Sequence, residues 1–191
     1  MPLGTAGAGY GATTANLKGG QGSASARTSS GQVVAALVVV NAIGSAVIGD
    51  GPYFWAAPWE RDGEFGGLGS PVHLTDDDRK LAWKGGRQLA TTIGLVATDA
   101  DLSKAQAKRL AIIAQGGLSK GLRLAHALSD GDTVFAAATG RLALRDPLSD
   151  LTEIGALASD CLARAIARGI YAASALPFAG ALPAWQDKFG G

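Results

Sequence analysis

The residues of this chain best suited to chemistry are one threonine, one asparagine and two aspartates. Thr91 heads the alternating run Thr91-Thr92-Ile93-Gly94-Leu95-Val96-Ala97-Thr98. Asn41 follows an apolar run that ends at Val40, and Asp130 and Asp132 flank Gly131 just before Thr133. A threonine hydroxyl is a weak nucleophile until a base takes its proton. An asparagine side chain can donate to a developing oxyanion, and a carboxylate can orient or charge-balance an amine. Each residue also has an ordinary structural reading. Threonine favours strands, asparagine suits the turn at a strand end, and Ser129-Asp130-Gly131-Asp132 is common turn chemistry. Residue type alone leaves both readings open.

Other candidates reduce to structure. Gly7-Ala8-Gly9-Tyr10-Gly11 does not have Gly-x-Gly-x-x-Gly spacing, and Lys18-Gly19-Gly20 lacks the rest of a phosphate-binding loop. Cys161 is the only cysteine and falls on an apolar helical stripe. His73 and His126, the two histidines, have no ligand-like spacing. His126 reads as lying near a helix C-terminus, a place that favours basic residues, and needs no catalytic role. No metal and no cofactor is expected. Acids and bases are scattered around a formal net charge of +1, with no basic stripe carrying interleaved aromatics, so nucleic acid is not an expected partner. The longest apolar run, Val33 to Val40, is too short to span a membrane, and the N-terminus does not read as a secretory signal. The expectation is a cytoplasmic protein with no membrane partner.

The elements that must hold these residues can be read from periodicity. With 191 residues, 47% of them hydrophobic and 17% charged, the chain suits a single α/β (α+β) domain, residues 1–191. Met1 to Arg27 reads as short strands and turns. Gln32 to Val40 reads as a strand buried on both faces. The aromatics from Tyr53 to Trp59 fall in a structured loop, where they could wall a pocket, fill the core or meet a second subunit. Ser70 to Ala90 reads as an exposed connector. Strands are predicted at Thr91–Thr98 and Thr133–Thr139. Between them Ser103-Lys104-Ala105-Gln106 forms a capping box, and Leu110, Ile113, Ala114, Gly117, Leu118, Gly121 and Leu122 mark one helical face. A second helix is predicted to start near Asp150 and stop before Pro177, with a stripe of Leu151, Ile154, Ala158, Cys161, Leu162, Ala165, Ile166 and Ile170.

Several segments together resemble one family. The run Ala90 to Ala100, with the following Leu102-Ser103-Lys104-Ala105-Gln106-Ala107-Lys108-Arg109-Leu110, resembles the start of the small subunit in the L-aminopeptidase/D-esterase family. That family holds the DmpA-like and β-peptidyl aminopeptidases. Gly7-Ala8-Gly9-Tyr10-Gly11-Ala12 and Lys18-Gly19-Gly20-Gln21-Gly22-Ser23-Ala24-Ser25 resemble its glycine-rich pair. Phe54-Trp55-Ala56-Ala57-Pro58 and the C-terminal Leu182-Pro183-Ala184-Trp185-Gln186-Asp187 follow in the expected order.

The resemblance implies a four-layer αββα sandwich of the DmpA/ornithine-acetyltransferase type, similar to the Ntn hydrolases, and incomplete at its N-terminal side. The family's N-terminal portion, with further strands, a helix and an active-site tyrosine, has no counterpart in this chain. The resemblance also implies self-cleavage at Ala90–Thr91, giving fragments 1–90 and 91–191. That cut would free the Thr91 amine, whose ordinary pKa of about 7.7–8.0 makes it a base near neutral pH. Asn41 matches the position of an oxyanion donor. Asp132 is expected to orient or charge-balance the amine, while Asp130 stands where β-peptidyl members have serine. Ala90 replaces the asparagine common before the cut in threonine-type members, and Ala–Thr is the junction of related ornithine acetyltransferases. The implied activity is an aminopeptidase or amidohydrolase acting on small peptides, amides or esters, assembled as homo-oligomers of processed chains. The alternatives are a non-catalytic fragment of such an enzyme and an acyltransferase of the same fold.

Overall fold

The computed structural model of this chain describes residues 1–85 and 90–190. Four strands form one sheet: β1 (Gly20–Arg27), β2 (Val33–Asn41), β3 (Thr91–Ala100) and β4 (Thr133–Leu142), side by side in that order. β2 runs antiparallel to both of its neighbours, β1 and β3, and β4 runs parallel to β3. A parallel neighbour needs a crossover, which α2 (Lys104–Ala114) and α3 (Gly116–Gly121) supply. The short α1 (Asp76–Arg79) precedes β3. The long α4 (Pro147–Tyr171) and α5 (Trp185–Phe189) complete the chain.

The core lies between the sheet and α4. Ile154, Ala158, Cys161, Leu162, Ala165, Ile166 and Ile170 are all buried there, against Val34, Val38, Val40 and Val96. The predicted stripe is therefore the buried face, with Leu151 only half-buried. The glycine-rich start of β1 has a packing reason. A Cβ on Gly22 would run into the Ala165 carbonyl, and one on Gly169 would lie 2.9 Å from the Gly22 nitrogen. Helix and strand thus meet backbone to backbone, which only glycine permits. Arg164 and Arg168 extend from the same helix to Glu64, and Arg164 also donates to the Ser25 carbonyl at 3.0 Å.

Of the four-layer αββα sandwich, the described residues supply two layers, one sheet and the helices on one of its faces. This corrects the reading of β2 as buried on both sides: its residues alternate between buried and half-covered. The uncovered face is apolar. Leu37, Leu95 and Phe135 lie in one cross-strand row, with Leu95 37% and Phe135 57% exposed, beside Ile93 at 50%.

Local expectations hold or shift for identifiable reasons. The Ser103 capping box forms, with both reciprocal hydrogen bonds. The single helix expected after it breaks at Gln115 into α2 and α3. α4 starts three residues earlier than predicted, because Asp146 is its cap and Pro147 its first residue; Asp150 reaches back to the amides of Arg145 and Asp146. His126 lies not at a helix end but in the loop beyond α3, with a left-handed φ of 57°. Phe54 joins a buried aromatic cluster with Phe65 and Trp185. Of the expected connector 70–90, residues 86–89 lie outside the described residues. The remainder is not wholly exposed, because Lys84 is only 7% exposed. Among the described residues no helix is long and apolar enough to cross a membrane.

Candidate functional site

The antiparallel register of β2 and β3 sets Asn41, the last residue of β2, directly opposite Thr91, the first of β3. An isolated parallel bridge between Ala90 and Asp130 continues the β3–β4 pairing past the strand ends. Two strand ends and the loop before a third therefore converge on the Ala90–Thr91 peptide. The Ala90 carbonyl oxygen accepts two hydrogen bonds, from the Gly131 amide at 3.0 Å and from Thr91 Oγ1 at 2.5 Å. The hydroxyl of Thr91 thus lies against the peptide group that precedes it, on a carbonyl already polarised by a backbone donor.

The two aspartates are used differently. Asp132 is spent on backbone: Oδ1 accepts from the Thr92 amide at 2.7 Å and Oδ2 from the His126 amide at 3.0 Å. It ties the start of β3 to the loop of residues 122–132. Neither oxygen of Asp130 has a hydrogen bond of good geometry, although both are shielded from solvent. Burial raises its pKa to about 6, and the charge of Asp132 adds to the rise. The Ile43 backbone and the Lys84 ammonium pull the other way. A carboxylate in that range is ionised at neutral pH yet basic enough to accept a proton.

Asn41 is held by two donors. Its Oδ1 accepts from Lys84 Nζ at 2.8 Å and from the Thr13 amide at 3.1 Å. Both partners can only donate here, which fixes the orientation of the amide. Lys84 is itself anchored, its backbone N–H donating to the Ile43 carbonyl at 2.9 Å. Burial lowers its pKa to about 8, and Asp130 opposes that shift. Thr13 sits in a loop held by Lys18, whose ammonium donates to the carbonyls of Gly9 and Ala12 at 2.8 Å and of Gly19 at 2.9 Å.

All the residues singled out in the sequence, Thr91, Asn41, Asp130, Asp132 and Ala90, therefore fall at one end of the sheet. Lys84 and Gly131 complete the cluster and carried no sequence signal: one lay in a polar stretch, the other in an ordinary turn. Among the described residues no group of three or more histidines, cysteines or acids could hold a metal. Cys161 lies away from the cluster, buried beneath β2 with its thiol pKa pushed up to about 11 by burial.

Comparison with known proteins gives a consistent answer. The model of peptidase family S58 matches residues 1–181. A protein of Mycobacterium bovis named as an uncharacterized aminopeptidase is 41% identical over 206 aligned residues, covering 100% of this chain and 58% of its own length. One of Mycobacterium leprae with the same description is 38% identical, covering 92% of this chain and 51% of its own. The chain thus spans between half and three fifths of the length of these curated relatives. In structure it is similar to a beta-aminopeptidase of a Burkholderia species, with a TM-score of 0.66 and 21% identity over 98% of this chain and 52% of the other. It is also similar to the L-aminopeptidase D-Ala-esterase/amidase of Ochrobactrum anthropi, described as a variant of the Ntn hydrolase fold, with a TM-score of 0.64 and 21% identity over 98% and 50%. These two likenesses establish the fold.

Proposed function

The chain belongs to peptidase family S58, and on that premise we propose that it is an amide hydrolase of the aminopeptidase type that activates itself by cutting Ala90–Thr91. The observation that carries this reading is the shared acceptor: the Thr91 hydroxyl and the Gly131 amide both meet the Ala90 carbonyl oxygen.

The step follows from that arrangement. Thr91 Oγ adds to the Ala90 carbonyl carbon as its proton passes to a base. Asp130 is the carboxylate with unspent oxygens, and it takes that proton directly or through one water. The Gly131 N–H stabilises the oxyanion, a role for which one donor is typically worth about 2.7–4 kcal/mol. The C–N bond then breaks, the proton returns to the Thr91 nitrogen, and an ester joins Ala90 to Thr91. Water cleaves the ester, leaving the Ala90 carboxylate and a free Thr91 amine. Fragments 1–90 and 91–191 result.

That amine is the base for the second reaction. It takes the hydroxyl proton as Thr91 Oγ attacks the carbonyl of a small peptide, amide or ester. The proton goes to the leaving group and water hydrolyses the acyl-threonine. Asn41, across the strand pair, donates to the substrate oxyanion. Asp132 holds the Thr92 amide, and through it the backbone that carries the nucleophile.

Intact-mass measurement of purified protein tests the reading. Two fragments split at Ala90–Thr91 are expected from wild type and one uncut chain from Thr91→Ala. A wild-type chain that stays whole while folded, or cleavage that persists in Thr91→Ala, overturns it. A second reading, a fragment inactive without a partner, is favoured by the apolar row of half-buried Leu37 and exposed Leu95 and Phe135. Such a chain would remain whole alone.

A further inference from the structure

We propose that Lys84 is a positioning residue of this site, acting through Asn41: its ammonium grips the amide oxygen and so orients the NH₂ end as a donor. The inference rests on the reading of Asn41 as an oxyanion donor. An asparagine amide can present either end, and only its hydrogen-bond partners decide which. Here Lys84 Nζ lies 2.8 Å from Oδ1 and 3.4 Å from the Asn41 carbonyl oxygen. The same ammonium therefore touches the side chain and the backbone of one residue.

The geometry is specific and costly. Lys84 is 7% exposed, and its ammonium is spent on a neutral amide and a carbonyl, with Asp130 supplying opposite charge nearby. A lysine whose aliphatic stem merely covered apolar surface would carry its charged head into water. Lys84 points inward, and its backbone is pinned beside the same strand end through Ile43. The second donor to Oδ1, the Thr13 amide, is longer at 3.1 Å and belongs to a separate loop. Loss of Lys84 removes the shorter of these two bonds to Oδ1.

Two readouts separate this from a general packing role. The first is made in Thr91→Ala protein, which stays uncut, by following side-chain NH₂ signals in ¹H–¹⁵N spectra, with the Asn41 pair identified by its loss in Asn41→Ala. Lys84→Met is expected to shift that pair while amides of α4 stay in place. An unmoved Asn41 pair overturns the proposal. The second is the rate at which the self-processed protein hydrolyses a small peptide amide, the reaction whose oxyanion Asn41 serves. Lys84→Met should slow it about tenfold, less than the roughly 10²–10³-fold loss expected for Asn41→Ala. In an Asn41→Ala background, Lys84→Met should change the rate by less than about twofold, since coupled residues are not additive. An equal loss in both backgrounds shows that Lys84 does not work through Asn41, and overturns the proposal. If wild type does not cut, the reading of Thr91 falls, while the spectra still decide whether Lys84 holds Asn41. Should Lys84→Met not fold, Lys84→Gln, one bond shorter, is read in the same two ways.

Discussion

A Cβ placed on Gly131 would lie 2.6 Å from Thr91 Oγ1 and 3.6 Å from the Ala90 carbonyl oxygen. Glycine is needed here for space rather than for its dihedral freedom, since its φ is not in the left-handed region. Gly131→Ala should therefore fold, but it pushes the hydroxyl off the carbonyl. A displacement of about 1 Å can cost about 10²-fold in rate, so self-cleavage is expected to slow by at least about that much. Intact mass against time measures it. Wild-type rates in a folded Gly131→Ala protein would show that the hydroxyl does not need that space.

Asp130 gives the site a pH signature with a definite sign. Its pKa is raised to about 6 in the folded protein from an ordinary 3.8, first by burial and then by Asp132. The folded state therefore holds this proton more tightly than the unfolded chain. Its stabilising contribution is present below about 4 and is lost as pH rises through about 6. Asp130→Asn removes that loss, so its Tm relative to wild type should climb between pH 4 and 7. The self-cleavage rate of wild type should rise over the same range as the base ionises, and Asp130→Asn should flatten that limb. A pH profile unchanged by the substitution would remove Asp130 as the base.

Much of this site was legible before any coordinates, though unevenly. Periodicity marks the strands beside Thr91, Asn41, Asp130 and Asp132, but it is the resemblance of the segments carrying them to the L-aminopeptidase/D-esterase family that singles these four residues out. That Asn41 faces Thr91 is a matter of register, which alternation in one strand cannot specify. Lys84 was hidden for a plain reason: a lysine in a polar stretch is normally solvated, and its burial depends on the Ile43 backbone of another segment. The two-faced burial expected for β2 failed similarly, because Val-rich sequence reports the capacity to be covered and not the cover itself. The break between α2 and α3 and the early start of α4 are boundary effects, set by Gln115 and by the Asp146 cap.

Lys18 should matter for stability and, at one remove, for the site. Its ammonium uses all three hydrogens on the carbonyls of Gly9, Ala12 and Gly19. Burial lowers its pKa to about 8, so holding the charge has a cost that those bonds offset. Lys18→Met relieves that cost but takes the ammonium from the Gly19 carbonyl, while the Gly9 and Ala12 carbonyls keep the amides of Ala12 and Gly19 as donors. A net loss of about 1–3 kcal/mol is expected, the cost of one buried acceptor left unsatisfied. Denaturant unfolding would measure it. The adjacent Thr13 amide bonds to Asn41, so the Asn41 NH₂ signals should also broaden or shift. A Lys18→Met protein of unchanged stability would mean that water replaces the ammonium.

Thr92 offers the opposite sign. Its hydroxyl is fully buried on the helix-facing side of β3, opposite Val40, and has no hydrogen-bond partner among the described residues. Its backbone amide, by contrast, is taken by Asp132 at 2.7 Å. Thr92→Val keeps the β-branched shape and the backbone bond while replacing the stranded hydroxyl with a methyl group. Removing an unsatisfied buried polar group should stabilise by about 1 kcal/mol, or roughly 2–4 °C in Tm for a chain of this length. Because Asp132 grips the backbone and not the Thr92 side chain, self-cleavage should stay within about threefold of wild type, a small effect beside the loss of a catalytic donor. A lower Tm would show that the hydroxyl has a partner after all. An unchanged Tm with slowed cleavage would place Thr92 in the reaction rather than in the core.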